Sequence, residues 1–204
     1  QITRKGWTLY LRSFFVLIPV AVTTALFQII VPVLSPEQII EKPEMFKTLG
    51  LLRWEEGRDH ELPQDFADML GWKELGKLVD KALEKVDKDE LTLVQCDNYG
   101  EAGAVNYYSK NNTGEALAID ADYMYWYPLD EGEIVNVILV KDPWDKDPER
   151  TRERELVDSV ELIGEITHPY AREKGAKVYL LKGAKVSVNE ILREEIDKRI
   201  AGEK

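Results

Sequence analysis

The chain has few of the residues that build metal and cofactor sites. It contains one cysteine, Cys96, and two histidines, His60 and His168. A single cysteine excludes a disulfide within the chain, and its place in an apolar run predicts a small buried side chain rather than a reactive thiol. The two histidines are isolated and do not give the spacing of a zinc site. We therefore expect no bound metal and no cofactor.

Motifs of the common enzyme classes are also missing. The sequence has no GxGxxG dinucleotide loop, no P-loop lysine and no GxSxG nucleophile elbow. For this reason the sequence by itself assigns no catalytic residue.

Basic residues are outnumbered by acidic ones. The chain has 27 Lys and Arg against 38 Asp and Glu, for a net charge of −11. A domain of this charge repels phosphate backbones, which argues against nucleic acid as a partner. We likewise expect no cationic cluster that could hold the phosphate of a lipid.

One long uncharged segment lies near the start of the chain. Residues 13–34 carry no charge, and a helix of that length measures about 33 Å, close to a hydrocarbon core of about 30 Å. The segment predicts a transmembrane helix in the lipid bilayer. Basic residues precede it and Glu37, Glu41 and Glu44 follow it. The positive-inside rule therefore predicts an inner (plasma) membrane protein whose remaining part is extracytoplasmic, or periplasmic.

The sequence divides into three predicted regions. Residues 1–34 form the cytoplasmic flank and the transmembrane helix, residues 35–60 a juxtamembrane connector, and residues 61–204 an extracytoplasmic domain. In the last region, strands rich in Val, Ile and Leu alternate with amphipathic helices. This alternation is typical of a sheet covered by helices on both faces. We predict a three-layer α/β domain with a mostly parallel sheet.

Polar residues follow the first predicted strand, at residues 91–96. Asp97, Asn98, Tyr99 and Glu101 lie where this strand gives way to a helix, which is where ligands bind in open α/β sheets. Amide and carboxylate groups beside an aromatic ring suit the hydroxyls and the apolar face of a sugar. The competing interpretation is structural, because Asp and Asn cap helices and a first-turn Glu complements the helix dipole. The sequence favours capping and leaves both interpretations open.

An aromatic cluster follows the strand predicted at residues 116–119. The segment DYMYWYP contains Asp122, Tyr125 and Trp126, which we add to the candidate substrate-binding residues. Such a cluster would line a groove, rest on a membrane interface or pack against the domain. The sequence does not choose among these roles.

Five segments of the chain form a recognisable set. They are LPQDFADMLGW, CDNYGEAGAVNYYSKN, ADYMYWYP, NVILVK and YLLKGA. Together they resemble the C-terminal region of bacterial glycosyltransferase family 39 proteins, which are polytopic relatives of the dolichyl-phosphate-mannose protein mannosyltransferases. The resemblance covers residues 7–200, and NYGEAGAVNYY is its most distinctive element.

The resemblance implies a transferase that takes a sugar from a polyprenyl-phosphate carrier at the outer face of the membrane. The family's catalytic acidic residues lie upstream of anything in this sequence, so no catalytic residue is carried over. We therefore expect an accessory C-terminal part that meets upstream transmembrane helices and binds a lipid-linked sugar, binds a glycan or peptide acceptor, or stabilises the fold. The alternative is a single-pass membrane-anchored binding module without catalysis.

Overall fold

The computed structural model describes residues 4–31, 33–111 and 115–202 of the chain. It divides into two compact units, Gln1–Ala67 and Asp68–Lys204. Each unit is described by itself below.

The first unit is helical. Its helices are α1 (Arg4–Ile30), α2 (Pro36–Glu41), α3 (Glu44–Thr48) and α4 (Gln64–Ala67). A reciprocal capping box begins α2, because the Ser35 hydroxyl accepts the backbone N–H of Gln38 and the Gln38 side chain accepts that of Ser35. Phe46 and Phe66 are buried, with their rings packed edge to face at 6.3 Å.

The prediction of a transmembrane helix over residues 13–34 is contradicted by the structure. That segment lies mostly within α1, with position 32 outside the described residues. Among the residues that the structure describes, no helix is both long enough and apolar enough to cross a membrane.

The second unit is an α/β domain. Its elements along the chain are α5 (Trp72–Leu83), β1 (Thr92–Cys96), α6 (Tyr99–Tyr108), β2 (Ala116–Ala118), a 3₁₀ helix (Ala121–Trp126), β3 (Asn136–Lys141), α7 (Thr151–Leu156), β4 (Val157–Glu165), β5 (Lys177–Ala184) and α8 (Val188–Ile200). The five strands form one sheet in the order β2-β1-β3-β5-β4. The α/β class is therefore confirmed.

The sheet is mixed rather than mostly parallel, which corrects the prediction. Strands β2 and β3 both run parallel to β1, whereas β5 is antiparallel to β3 and β4 is antiparallel to β5. Parallel neighbours need a long crossover, but β4 and β5 are joined by residues 166–176, which contain no helix. A connection of this kind joins antiparallel strands.

Helices cover both faces of the sheet. Side chains alternate between the faces of a strand. On one face, residues such as Val94, Ile138 and Leu180 join the core with α5 and α6. On the other face, neighbouring residues of the same strands pack with Leu192 and Ile196 of α8. The predicted three-layer arrangement is confirmed.

Helices α5 and α6 approach each other closely at Gly76. A Cβ atom at this position would lie 2.8 Å from the Tyr108 Cβ atom and 2.9 Å from the Tyr108 carbonyl carbon. The backbone of Tyr108 cannot move aside as a flexible side chain would. A residue without a Cβ is therefore needed where these two helices meet.

We predict that Gly76→Ala lowers the free energy of unfolding by about 1–3 kcal/mol, because overpacking costs more than the gain of about 1 kcal/mol in helix propensity. Gly103→Ala is the matched control in the interior of α6, since a Cβ there would meet nothing closer than the Tyr123 hydroxyl at 4.0 Å. It should leave stability unchanged or raise it. Urea unfolding curves of both variants check this, and equal changes in the two would contradict the packing argument.

Candidate functional site

Strands β1 and β3 create a crevice at their carboxyl ends. They are adjacent and parallel, but the chain leaves β1 through α6 toward β2 and leaves β3 toward the opposite side of the sheet. Ligands of open α/β sheets bind at such a switch point. Lys177, the first residue of antiparallel β5, pairs with Lys141 at the end of β3. The loop before β5 therefore reaches the same edge.

A reciprocal capping box begins α6 at this edge. The Asn98 Oδ1 atom accepts the backbone N–H of Glu101 at 2.9 Å. In return, Glu101 Oε2 accepts the backbone N–H groups of Asn98 at 3.4 Å and Asp97 at 3.0 Å. These bonds satisfy donors that a helix start leaves free. The capping interpretation is confirmed for Asn98 and Glu101.

Asp97 joins the ends of β1 and β3. Its Oδ2 atom accepts the backbone N–H of Asp142 at 2.9 Å, and its Oδ1 atom pairs with the Lys141 ammonium group. The Asn98 amide donates to Asp142 Oδ1 at 3.2 Å. Asp97 and Asn98, the two residues that follow β1, thus both hold Asp142 in place by hydrogen bonds.

Three carboxylates meet at the crevice. Glu101, Asp142 and Glu173, which we call the acidic cluster, each place an oxygen within 4.8 Å of the other two. They come from the first turn of α6, the end of β3 and the loop before β5. Glu101 is fully buried, and the other two are half-buried. Among the described residues, the buried atoms Glu101 Oε1 and Glu173 Oε2 have no hydrogen-bond partner.

Burial and mutual repulsion raise the pKa values of the acidic cluster. Burial is the largest cause for Glu101 and, with the charges of Asp142 and Glu173, raises its pKa to about 8. Burial followed by the charge of Asp142 raises the pKa of Glu173 to about 6. The pKa of Asp142 is also raised, by burial and then by Asp97. Desolvation and neighbouring like charges both disfavour the ionised carboxylate.

The acidic cluster can therefore do two things chemically. Its carboxyl groups can share protons, so that the buried charge is reduced, or they can bind a hard cation through oxygen. Cys96 at the end of β1 adds no soft ligand, because it is buried as predicted and burial raises the pKa of its thiol.

A buried arginine organises the loop after β3. Arg150 pairs with Asp145 and, at 3.3 Å, with Glu153, and its guanidinium lies over the Tyr179 ring at 5.2 Å. It adopts a left-handed backbone conformation with φ of 52°. This ion pair holds the segment that begins with Asp142 against the sheet.

The structure gathers some of the predicted site residues and leaves others on the surface. Asp97, Asn98 and Glu101 lie together at the crevice, and Tyr99 beside them is 61% exposed. Asp122, Tyr125 and Trp126 lie in the 3₁₀ helix after β2 and are exposed. Since β2 is parallel to β1, this helix follows the same edge of the sheet. The aromatic segment therefore has exposed and buried members, because Tyr127, directly after the 3₁₀ helix, packs in the core.

Sequence reasoning missed Asp142, Trp144 and Glu173. Asp142 directly follows a strand, so the rule that selected Asp97 would also have selected it. Trp144, two residues later, is 63% exposed. Glu173 gives no local signal, because its place depends on the antiparallel direction of β5.

A cleft lined by lysines lies elsewhere on the second unit, between α5 and the end of α6. Its volume is about 610 Å³, and it is lined by Lys73, Lys77, Lys81 and Lys110 together with Asp80, Glu84, Tyr107, Tyr108 and Ser109. The three helical lysines share one face at four-residue spacing. Asp80 brings the loop after α6 to them by accepting the Lys110 backbone N–H at 2.9 Å. Because Asp80 and Glu84 line the same cleft, the expectation that no cationic cluster holds a lipid phosphate stays a prediction.

We predict that Glu101→Gln removes much of the pH dependence of stability in the presence of EDTA. With a pKa of about 8 in the folded state against 4.5 as the ordinary value, the folded wild type binds a proton that the unfolded chain releases. Its stability therefore falls as pH rises from about 4.5 to 8. Glutamine keeps the capping oxygen without the charge, so the variant should be more stable at pH 7, by on the order of 1–3 kcal/mol.

Thermal unfolding between pH 5 and pH 8 measures this difference. Glu131→Gln, at an exposed position, is the control and should follow the wild type. Parallel pH profiles for the wild type and Glu101→Gln would contradict the assignment of a raised pKa to Glu101.

The chain was compared with protein-family models, curated proteins and solved structures. No protein-family model, no curated protein and no solved structure matches the chain.

Proposed function

We propose that the second unit is an accessory sugar-binding domain of a glycosyltransferase that uses a polyprenyl-phosphate donor at the outer face of the membrane. In this proposal the chain is the C-terminal part of the transferase and contributes no catalytic residue. The observation that carries it is the position of the motif DNYGEAG, which belongs to the resemblance, at the switch point between β1 and β3.

The polar groups of the crevice suit a ligand with several hydroxyls. Asp142 and Glu173 are half-buried, although the Glu173 Oε2 atom is itself buried. Each carboxylate oxygen accepts more than one hydrogen bond. The Asp142 carboxylate accepts one hydrogen bond from the Asn98 amide, and its oxygens have the capacity to accept more. Hydroxyl donors of a sugar match acceptors of this kind.

Exposed aromatic rings border the same edge of the sheet. Tyr99 begins α6 and Trp144 follows β3, and both side chains are more than half exposed. Trp126, in the 3₁₀ helix after β2, is 55% exposed and packs against Tyr123 at 4.9 Å. An aromatic ring offers a flat apolar face to the C–H face of a pyranose, which gives both affinity and orientation.

Two of the crevice carboxylates make structural contacts, which supports an accessory role. Asp97 is bound by Lys141 and by a backbone N–H, and Glu101 caps α6. A catalytic base must be within hydrogen-bond reach of the proton it removes, whereas both oxygens of Asp97 and the Oε2 atom of Glu101 are directed to structural donors. We therefore assign recognition rather than chemistry to this edge.

We predict that the 204-residue chain binds neutral hexoses weakly and that Tyr99→Ala, Trp126→Ala and Trp144→Ala each weaken binding by about fivefold, which corresponds to the loss of one stacking contact of about 1 kcal/mol. NMR titration with glucose, mannose, galactose and their disaccharides measures this. Tyr107→Ala is the matched control, because Tyr107 is 80% exposed at the other end of α6.

Kinetics separate recognition from catalysis. In membranes that carry the complete protein, transfer from a polyprenyl-phosphate sugar should show a raised KM in Tyr99→Ala with kcat little changed. Loss of kcat at unchanged KM would overturn the accessory role. Absence of a saturable response to every sugar tested would overturn the sugar-binding assignment.

A further inference from the structure

We propose that the acidic cluster of Glu101, Asp142 and Glu173 is a binding site for a divalent metal ion, and that the ion is Ca²⁺. The inference rests on the placement of these three side chains and does not depend on sugar binding.

The first argument is the unbalanced charge. The basic side chains that act on the acidic cluster already have acidic partners. Lys141 pairs with Asp97, and Arg172 pairs with Asp68 at 3.2 Å. The acidic cluster places three carboxylates within 4.8 Å of one another, and one of them is fully buried. Lys141 and Arg172 offset this negative charge only in part, because each also pairs with another acid. Buried charges in proteins are compensated by partners or by metals.

The second argument is an unsatisfied buried oxygen. Glu101 is 0% exposed, and its Oε2 atom caps α6, but its Oε1 atom accepts no hydrogen bond from the described residues. Buried polar atoms without a partner are rare in folded proteins and call for an explanation. A cation held between the three carboxylates would supply the missing partner for the Glu101 Oε1 atom.

The third argument is distance. Oxygen ligands lie about 2.4 Å from Ca²⁺, so two oxygens on one ion are at most about 4.8 Å apart. All three carboxylates of the acidic cluster satisfy this limit with one another. The spacing of the three carboxylates is therefore compatible with one Ca²⁺ ion shared among them.

The fourth argument is that the ligands are held in place before an ion arrives. The capping box fixes Glu101, and the Asn98 amide and the Asp97 carboxylate fix Asp142. Glu173 lies in a tight loop in which Gly175 has a φ of 91° and a Cβ there would be 3.7 Å from Pro143, next to Asp142. Preorganised ligands lower the cost of binding.

The chemistry of the ligands selects the ion. All three donors are carboxylate oxygens, which suit hard cations better than Zn²⁺ or copper, whose protein sites usually include nitrogen or sulfur ligands. Mg²⁺ requires near-ideal octahedral geometry at about 2.1 Å and keeps most of its water, whereas Ca²⁺ accepts six to eight oxygens in flexible arrangements. Three protein carboxylates leave further positions on Ca²⁺ for water or for ligand hydroxyls.

The test uses the full-length chain, freed of metal with EDTA and dialysed, and CaCl₂ alone as the probe. Isothermal titration should give one Ca²⁺ per chain, with a dissociation constant on the order of 10⁻⁴ M, as in extracellular calcium modules. Added Ca²⁺ should also raise the melting temperature. Mg²⁺ should bind more weakly under the same conditions.

Two variants test the ligands in different ways. Asp142→Asn leaves the α6 cap untouched, and Glu101→Gln keeps the capping oxygen, so each removes one ligand charge without breaking the capping box. Each should weaken Ca²⁺ binding at least about tenfold and abolish the rise in melting temperature. Glu131→Gln, at an exposed position, should respond to Ca²⁺ as the wild type does. Melting curves in EDTA show that the variants are folded.

Two results would overturn the proposal. One is the absence of Ca²⁺ heat and of any melting-temperature shift in the wild type. The other is an equal response in the wild type and all three variants, which would mean diffuse attraction to an acidic surface. A Mg²⁺ response stronger than the Ca²⁺ response would overturn the assignment of calcium. No sugar is present in these measurements, so they are independent of the sugar-binding assignment.

Discussion

The edge of the sheet depends on the buried carboxylate of Glu101. One of its oxygens accepts the backbone N–H groups of Asp97 and Asn98 and so joins the end of β1 to the start of α6. The same carboxylate lies beside Asp142 and Glu173 in the protein interior. An ionised group in that position is costly, and its charge must be removed by a proton or balanced by a cation. Helix capping and ligand chemistry are thereby linked through one side chain.

The structure shows helix capping by Asn98 and Glu101, and capping does not exclude ligand contact by Glu101. Capping and ligand contact were competing interpretations for Asn98 and Glu101, but a carboxylate has two oxygens. In Glu101, Oε2 caps the helix while Oε1 remains without a partner among the described residues. A residue with a structural role can therefore also hold a ligand. For Asp97 the structural contacts take both oxygens.

The antiparallel half of the sheet completes the crevice. The segments that directly follow the parallel strands β1 and β3 contribute Glu101 and Asp142, as expected at a switch point. Glu173 arrives because β5 enters the sheet beside β3 in the opposite direction, so its preceding loop reaches the carboxyl edge. A fully parallel sheet would place the start of that strand at the other edge. The departure from the predicted parallel sheet is thus what brings the third carboxylate.

The sequence by itself determined the local structure. The pattern of apolar residues predicted strands alternating with amphipathic helices, and Asn98 and Glu101 indicated a helix start, because these signals depend on residues a few positions apart. Only the tertiary structure decided the direction of β5, the close approach at Gly76 and the meeting of three carboxylates, because they join segments far apart in the chain. The transmembrane helix was predicted from the length of an uncharged run. Among the described residues, no helix is long and apolar enough to cross a membrane.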